Sequence, residues 1–449
     1  MQVKDVKKAQ RLSIIPGLGQ LYNGQTIKGV GFIIILLAFI AEFIFGGFSA
    51  FANLVTLGSV SMEDNSLFMM IYGTLQILLT IVFIVFYIAN LYDAKHVAQL
   101  INNGKKVSHT FKELGASLVD GGFAYLLTTP AYILMVFTIV FPVLVTLLMA
   151  FTNYDFAHIP PAMLLDWIGF KNFTSMFFLS SYRATFNAVF GWTVIWTVCA
   201  TTLQIIIGIA TAVIANQNFI KGKRFFGVIF LLPWAIPAFV SIMSFSNIFN
   251  DSAGAINVQV IGLWNTLVPF AHIAPIHWMT DTFWTKVAII MIQGWLGFPY
   301  IYVMITGILQ AIPEDLYEAA TLDGATVMQK FNKITLPTIF AIAAPIFVTQ
   351  YTFNFNNFSM IYLFNQGGSG DVGANAGGTD ILISWIYKLT TVTSPQYSLA
   401  ASATLTIFVL VTGIPLIVSK MIQPSELVAS SHGYCLFSTS DDAHFKANL

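Results

Sequence analysis

Eight long apolar runs, separated by shorter polar ones, organise the 449 residues. They cover roughly 29–47, 68–92, 124–151, 185–214, 225–249, 284–310, 338–363 and 397–419. Apolar side chains occur nearly all round in each run, not along one stripe, which separates them from the amphipathic helices of a soluble protein. Each run is long enough to cross about 30 Å of hydrocarbon at about 1.5 Å per residue. The pattern predicts an all-α integral membrane protein with about eight transmembrane helices. No small-residue cleavage site follows the first run, so it is predicted to remain a span and not to be a signal peptide.

Composition agrees with this reading: 57% of residues are hydrophobic and 9% charged, against about 25% charged in a soluble domain. The net charge is zero, so only its distribution informs. Lys4, Lys7, Lys8, Arg11 and Lys28 precede or open the first run, and Lys95, Lys105, Lys106 and Lys112 follow the second. Lys221, Lys223, Arg224, Lys330, Lys333, Lys420 and Lys446 fall on the same side of the predicted membrane, while Lys171, Arg183, Lys286 and Lys388 fall on the other. The positive-inside rule then predicts cytoplasmic termini in a cell membrane. The external segments 152–183, 250–283 and 364–396 are poor in charge and too short for a large domain. Cys199 and Cys435 offer neither a disulfide framework nor a metal spacing. Residues 421–449 are polar and read as a tail without an assigned role.

One polar stretch interrupts the later runs. Residues 311–337 carry Glu314, Asp315, Glu318, Asp323, Lys330 and Lys333. Six charges at about 2.5 kcal/mol each would cost about 15 kcal/mol at the bilayer centre, so the stretch is predicted to be a cytoplasmic excursion. Pro313 suits a helix start with Glu314 and Asp315 beside its positive end, and Gly324 suits a left-handed stop. Val327, Phe331 and Ile334 then mark one stripe of a second short helix. On physics alone this knob is either a solvated loop helix or a docking point for a cationic partner.

Its residues decide between these by resemblance. Glu318-Ala319-Ala320, Asp323-Gly324-Ala325, Ile334, Leu336 and Pro337 resemble the EAA loop of binding-protein-dependent ABC importers. The resemblance implies a type I permease fold in which this loop couples to a cytoplasmic ATPase. Leu232-Pro233-Trp234-Ala235-Ile236-Pro237, Trp295 to Tyr300, Phe353 to Phe358 and Gly378 to Leu382 are similar to the larger membrane subunit of maltose and maltodextrin importers. The run IPGLGQLYNGQ near the start resembles Gram-positive members, and the large external domain of enterobacterial members is absent.

This resemblance implies a core permease domain at 183–420, preceded by two extra spans and a basic loop (1–120) and a third span with a short external loop (121–182). It implies a sugar path lined by Trp234, Ala238, Gln293, Trp295, Leu296, Gly297, Tyr300, Gln350 and Asn354. Aromatic faces would stack on sugar rings, amides and a phenol would satisfy hydroxyls, and Gly297 would admit a ring close to the backbone. Taken singly, the Trp and Tyr residues read equally as interfacial anchors, and Asn354 and Asn356 as interhelical hydrogen-bonding groups. Glu42, an acid in the first span, reads as pairing with another helix or sitting near the span end. The resemblance further implies a second permease subunit, two ATPase subunits that use ATP and Mg, and an extracellular sugar-binding lipoprotein.

Other chemistry lacks its residues. There is no G-x-x-x-x-G-K-[ST] loop, no H-E-x-x-H and no G-x-S-x-G elbow. No cofactor is expected on this chain, no nucleic-acid partner is implied, and an enzymatic role is not expected. An ion-coupled secondary sugar transporter is the alternative of a different class. It would need paired intramembrane acids, which the spans lack. Within the importer class, another oligosaccharide is the alternative substrate.

Overall fold

A computed structural model describes residues 3–105, 123–217 and 219–422, together with 107, 110, 113 and 115. Lys106, Lys112, Lys446 and the tail from 423 onward, used in the charge and domain readings above, lie outside the described residues. The chain forms two compact units, one of residues 1–176 with 389–402 and one of 177–388 with 403–449.

The first unit begins with two short helices that hydrophobic periodicity does not reveal, α1 (Val6–Leu12) and α2 (Leu18–Tyr22). Asp5 caps α1 by accepting from the Lys7 and Lys8 amides, which is why so short a helix starts there. Two long helices follow, α3 (Thr26–Thr56, with a π turn at Phe43–Gly47) and α4 (Ser66–Asn102). The buried Asn90 of α4 donates to the Ser13 carbonyl at 2.8 Å, and Gln20 donates to the Asn90 carbonyl at 3.1 Å. Lys28 pairs with Asp93 at 2.5 Å. The basic N-terminal segment is therefore folded onto the end of the second span. Glu42 accepts from Gln76 Nε2 at 3.2 Å, the interhelical pairing expected of an acid in a span. The third span, α5 (Leu127–Met149), contains a π turn at Val136–Val140.

The second unit is built on a close pair, α6 (Ser180–Ala215) and the helix at Thr282–Ala311. Small residues let their backbones approach, as membrane helix pairs require. A Cβ on Gly208 would meet Ile301 Cβ at 2.4 Å, and one on Gly294 would meet Leu203 Cδ2 at 2.8 Å. The expected fifth span is not one straight helix. It divides into α7 (Lys223–Ala235) and α8 (Ala238–Ile248), bent by 85°. The cause is local: Ile236 precedes Pro237 and is extended at φ −112°, ψ 135°, since a proline ring pushes its predecessor out of the helical region.

The sixth span is α9 (Thr282–Ala311), and α10 (Glu314–Leu322) and α11 (Val327–Lys330) follow it. A π turn at Phe331–Thr335 leads into α12 (Leu336–Phe355), and α13 (Phe358–Asn365) follows. Beyond it lie a two-stranded ribbon of β1 (Asp371–Gly373) and β2 (Ala376–Gly377), then α14 (Leu382–Thr391) and α15 (Tyr397–Ile422). Among the described residues six helices have the length and apolarity of spans, and the bent pair makes a seventh. The eighth expected span corresponds to α15, whose qualifying apolar part is the shorter Tyr397–Gly413.

Candidate functional site: a ring-lined face, an amide cluster and a coupling knob

The nine residues expected to line a sugar path all lie in the second unit, and the structure divides them into two sets. Trp234, Ala238, Trp295 and Tyr300 are exposed. Trp234 at the end of α7 and Tyr300 on α9 lie 6.1 Å apart with rings tilted by 40°. Trp295, five residues earlier on α9, meets Phe245 of α8 edge-on at 5.2 Å. Trp234–Tyr300 and Trp295–Phe245 are thus two ring pairs that join α9 to α7 and to α8.

The other set is turned inward. Gln293, Leu296 and Asn354 are buried, and Gln350 is half-buried. Leu296 belongs to an apolar core with Trp196, Ile289 and Ile292. Gln293 Oε1 accepts from Asn357 at 3.1 Å. Asn354 Nδ2 donates to Thr201 Oγ1 at 2.8 Å and to Gln204 Oε1 at 3.3 Å, while its side-chain oxygen Oδ1 has no partner among the described residues. Gln204 in turn donates to Gln350 Oε1 at 3.1 Å. Interhelical hydrogen bonding, one of the two readings open for Asn354, is what the structure shows. Gly297 also departs from its expected role. Its open side is filled by Gln204, whose Oε1 lies 2.0 Å from where a Cβ would stand. The glycine gives room to an amide of α6, not to a ring from outside.

Sequence reasoning passed over Thr201 and Gln204. The signal was present, because two polar residues three apart inside an apolar run are costly unless they are used. A cavity of about 1040 Å³ along α6, α12 and α15 is lined by none of the nine, although Tyr351 and Phe355, next in sequence to Gln350 and Asn354, do line it. Its lining is almost wholly apolar, which suits hydrocarbon better than a polyol.

The coupling stretch forms as its residues dictate. Pro313 caps α10, with Glu314 and Asp315 in the first turn. Gly324 is left-handed at φ +76°. Its amide donates to the Thr321 carbonyl at 3.0 Å, and the Ala325 amide donates to the Ala320 carbonyl at 2.9 Å. This paired closure satisfies the last carbonyls of the helix. Thr326 and Gln329 then form a reciprocal cap on α11. Tyr317 and Thr335 share a hydroxyl bond at 2.8 Å, and Lys330 donates to Thr321 at 3.0 Å, so the helices are tied to each other. Glu318, Ala319, Asp323 and Gly324 remain exposed, as do Leu316, Leu322, Val327 and Met328. The expected apolar stripe is thus only partly covered: Phe331 and Ile334 are half-buried, but Val327 faces out. A cleft of about 350 Å³ runs between Ala320, Asp323, Gln329, Lys333 and Ile334. Leu336 and Pro337 open α12 directly beneath the knob.

The sequence profile described as "Binding-protein-dependent transport system inner membrane component" matches residues 204–423. The maltodextrin transport system permease protein MdxF of Bacillus subtilis (strain 168) is 62% identical over 417 residues, covering 93% of this chain and 96% of the relative. The chain belongs to the binding-protein-dependent transport permeases. This permease is also 47% identical to the galactooligosaccharides transport system permease protein GanP of the same organism, over 90% of this chain and 95% of the relative. A solved bacterial ABC transporter, involved in the import of the acidic polysaccharide alginate, contains a chain of the same fold. That chain is 20% identical with a TM-score of 0.55, covering 69% of this permease and 99% of itself. The permease is accordingly a multi-pass membrane component of an ABC importer, and ATP hydrolysis belongs to a separate chain of such systems.

Proposed function

We propose that this permease conducts maltodextrin-type oligosaccharides inward, as one half of a heterodimeric pore. A second permease subunit, two cytoplasmic ATPase subunits and an extracellular sugar-binding lipoprotein complete the machine, and both termini face the cytoplasm. The observation that carries the reading is the nearly end-to-end identity with MdxF, a maltodextrin permease. The aromatic face of Trp234, Trp295 and Tyr300 offers stacking surfaces for sugar rings. Gln293, Gln350 and Asn354 offer the hydroxyl partners that a polyol needs.

In this reading Glu318, Ala319, Ala320, Asp323, Gly324, Ile334, Leu336 and Pro337 form the joint to the ATPase. The two small alanines allow a close-fitting groove, and Glu318 supplies a charge for a cation. Reconstitution of the four-part complex in vesicles tests the whole. Uptake of maltotriose should require ATP and both permeases. Uptake by this chain without an ATPase would overturn the proposal. Stimulation of ATP hydrolysis by galacto-oligosaccharides and not by maltodextrins would shift the substrate to the class of GanP.

A further inference from the structure

The Gln204 side chain meets Gly297, Gln350 and Asn354 together. It is itself buried on α6, at 1% exposure. Its amide uses both of its ends: Nε2 donates to Gln350 and Oε1 accepts from Asn354. Asn354 has two amide hydrogens, and both are taken, by Thr201 and Gln204. It can give a hydrogen to a hydroxyl only by releasing one of them. The space before Gly297 is likewise closed while Gln204 stands in it.

We propose that Gln204 acts as an internal ligand of the sugar-contact positions, an amide that competes with sugar hydroxyls for Asn354 and Gln350 and screens Gly297. The inference rests on the reading of those positions as sugar contacts. Gln204 is then a positioning residue that sets how tightly the path holds its cargo. The arrangement keeps the Asn354 amide hydrogens and Gln350 Oε1 paired, where leaving them bare would be costly, and Asn354 Oδ1 alone of this set has no partner among the described residues. It also weakens retention of the sugar, which a transporter must release.

Equilibrium binding of labelled maltotriose to the purified permease–ATPase complex tests this, with the binding protein left out. Gln204→Leu should tighten binding about 3- to 10-fold, the equivalent of about one hydrogen-bond competition. In an Asn354→Ala, Gln350→Ala background the same change should have no effect, because the groups competed for are gone. A purely structural role would loosen binding equally in both backgrounds. If the leucine variant does not assemble, Gln204→Met, which matches the chain length, is measured in the same way. Unchanged or weakened binding in an assembled Gln204 variant would overturn the inference while leaving the sugar path intact. Undiminished binding in Asn354→Ala, Gln350→Ala would instead overturn the placement of the path itself.

Discussion

The coupling knob and the ring-lined face are built on opposite principles. In the knob the groups that matter are exposed and the backbone that holds them is locked by local bonds, from the Gly324 closure to the Tyr317–Thr335 link. Along the ring-bearing α9 the aromatic groups are exposed, but the Gln350 and Asn354 amides of α12 are committed to interhelical bonds with Gln204. In the proposed reading the knob would dock as it stands, whereas the amides of the sugar path would exchange partners before serving a substrate. The knob is held by neighbours in sequence, and the amides are held by a neighbour in space.

Four substitutions sharpen or break this contrast. Glu318→Lys should have the largest effect, since a reversed charge on a preformed docking surface costs an interface several kcal/mol. Copurification of the ATPase should fall more than tenfold with membrane insertion unchanged; full retention would remove the charge from the joint. Trp295→Ala comes next, expected to weaken sugar binding about 5- to 100-fold through loss of a stacking face worth about 1–3 kcal/mol. Normal maltotriose uptake would show that the exposed rings face something other than cargo.

Gly324→Val should follow at about 1–2 kcal/mol of local strain, because a branched side chain resists φ +76°. Its signature is a loss of sugar-stimulated ATP hydrolysis, with maltotriose binding to the permease unaltered. Loss of both together would join the two regions that the structure separates.

The smallest expected effect lies outside the membrane. Burial pushes the Asp380 carboxyl above the usual carboxylate range, while the Lys388 ammonium, the Gly377 amide and the Ser384 hydroxyl pull it down. A raised folded value means that this group's stabilisation is complete below the ordinary carboxylate range and is lost as pH rises through the raised value. Asp380→Asn should flatten that dependence. The readout is hydrogen exchange in the 366–388 segment between pH 4 and 7, with a change of less than about tenfold. An unaltered pH profile in the variant would assign the dependence to another group.

What could be read from the sequence follows the same division. The spans were legible because lipid demands apolarity all round, and the knob because Pro313, Gly324 and six charges specify local geometry. The bend at Ile236–Pro237 was written in the dipeptide, yet the apolar run around it concealed the break. The short helices α1 and α2 were hidden because the polar cap of Asp5 and the reach to Asn90 stabilise them, with no periodic stripe to show it. The inward turn of Leu296, Gly297 and Asn354 depends on which face of α9 and α12 meets α6. Near-uniform hydrophobicity carries no record of that choice.

The stitching of the knob has a mechanical consequence. Tyr317 is bonded to Thr335, and Thr335 stands immediately before α12, the helix that carries Gln350 and Asn354. Fourteen residues separate Leu336 from Gln350, a lever arm of about 20 Å at 1.5 Å per residue. A rotation of about 5° at its base would carry the amide end by nearly 2 Å by this geometry, more than enough to part a hydrogen bond. Work delivered to the polar knob can thus arrive, as displacement, at a buried interhelical bond at the far end of the helix.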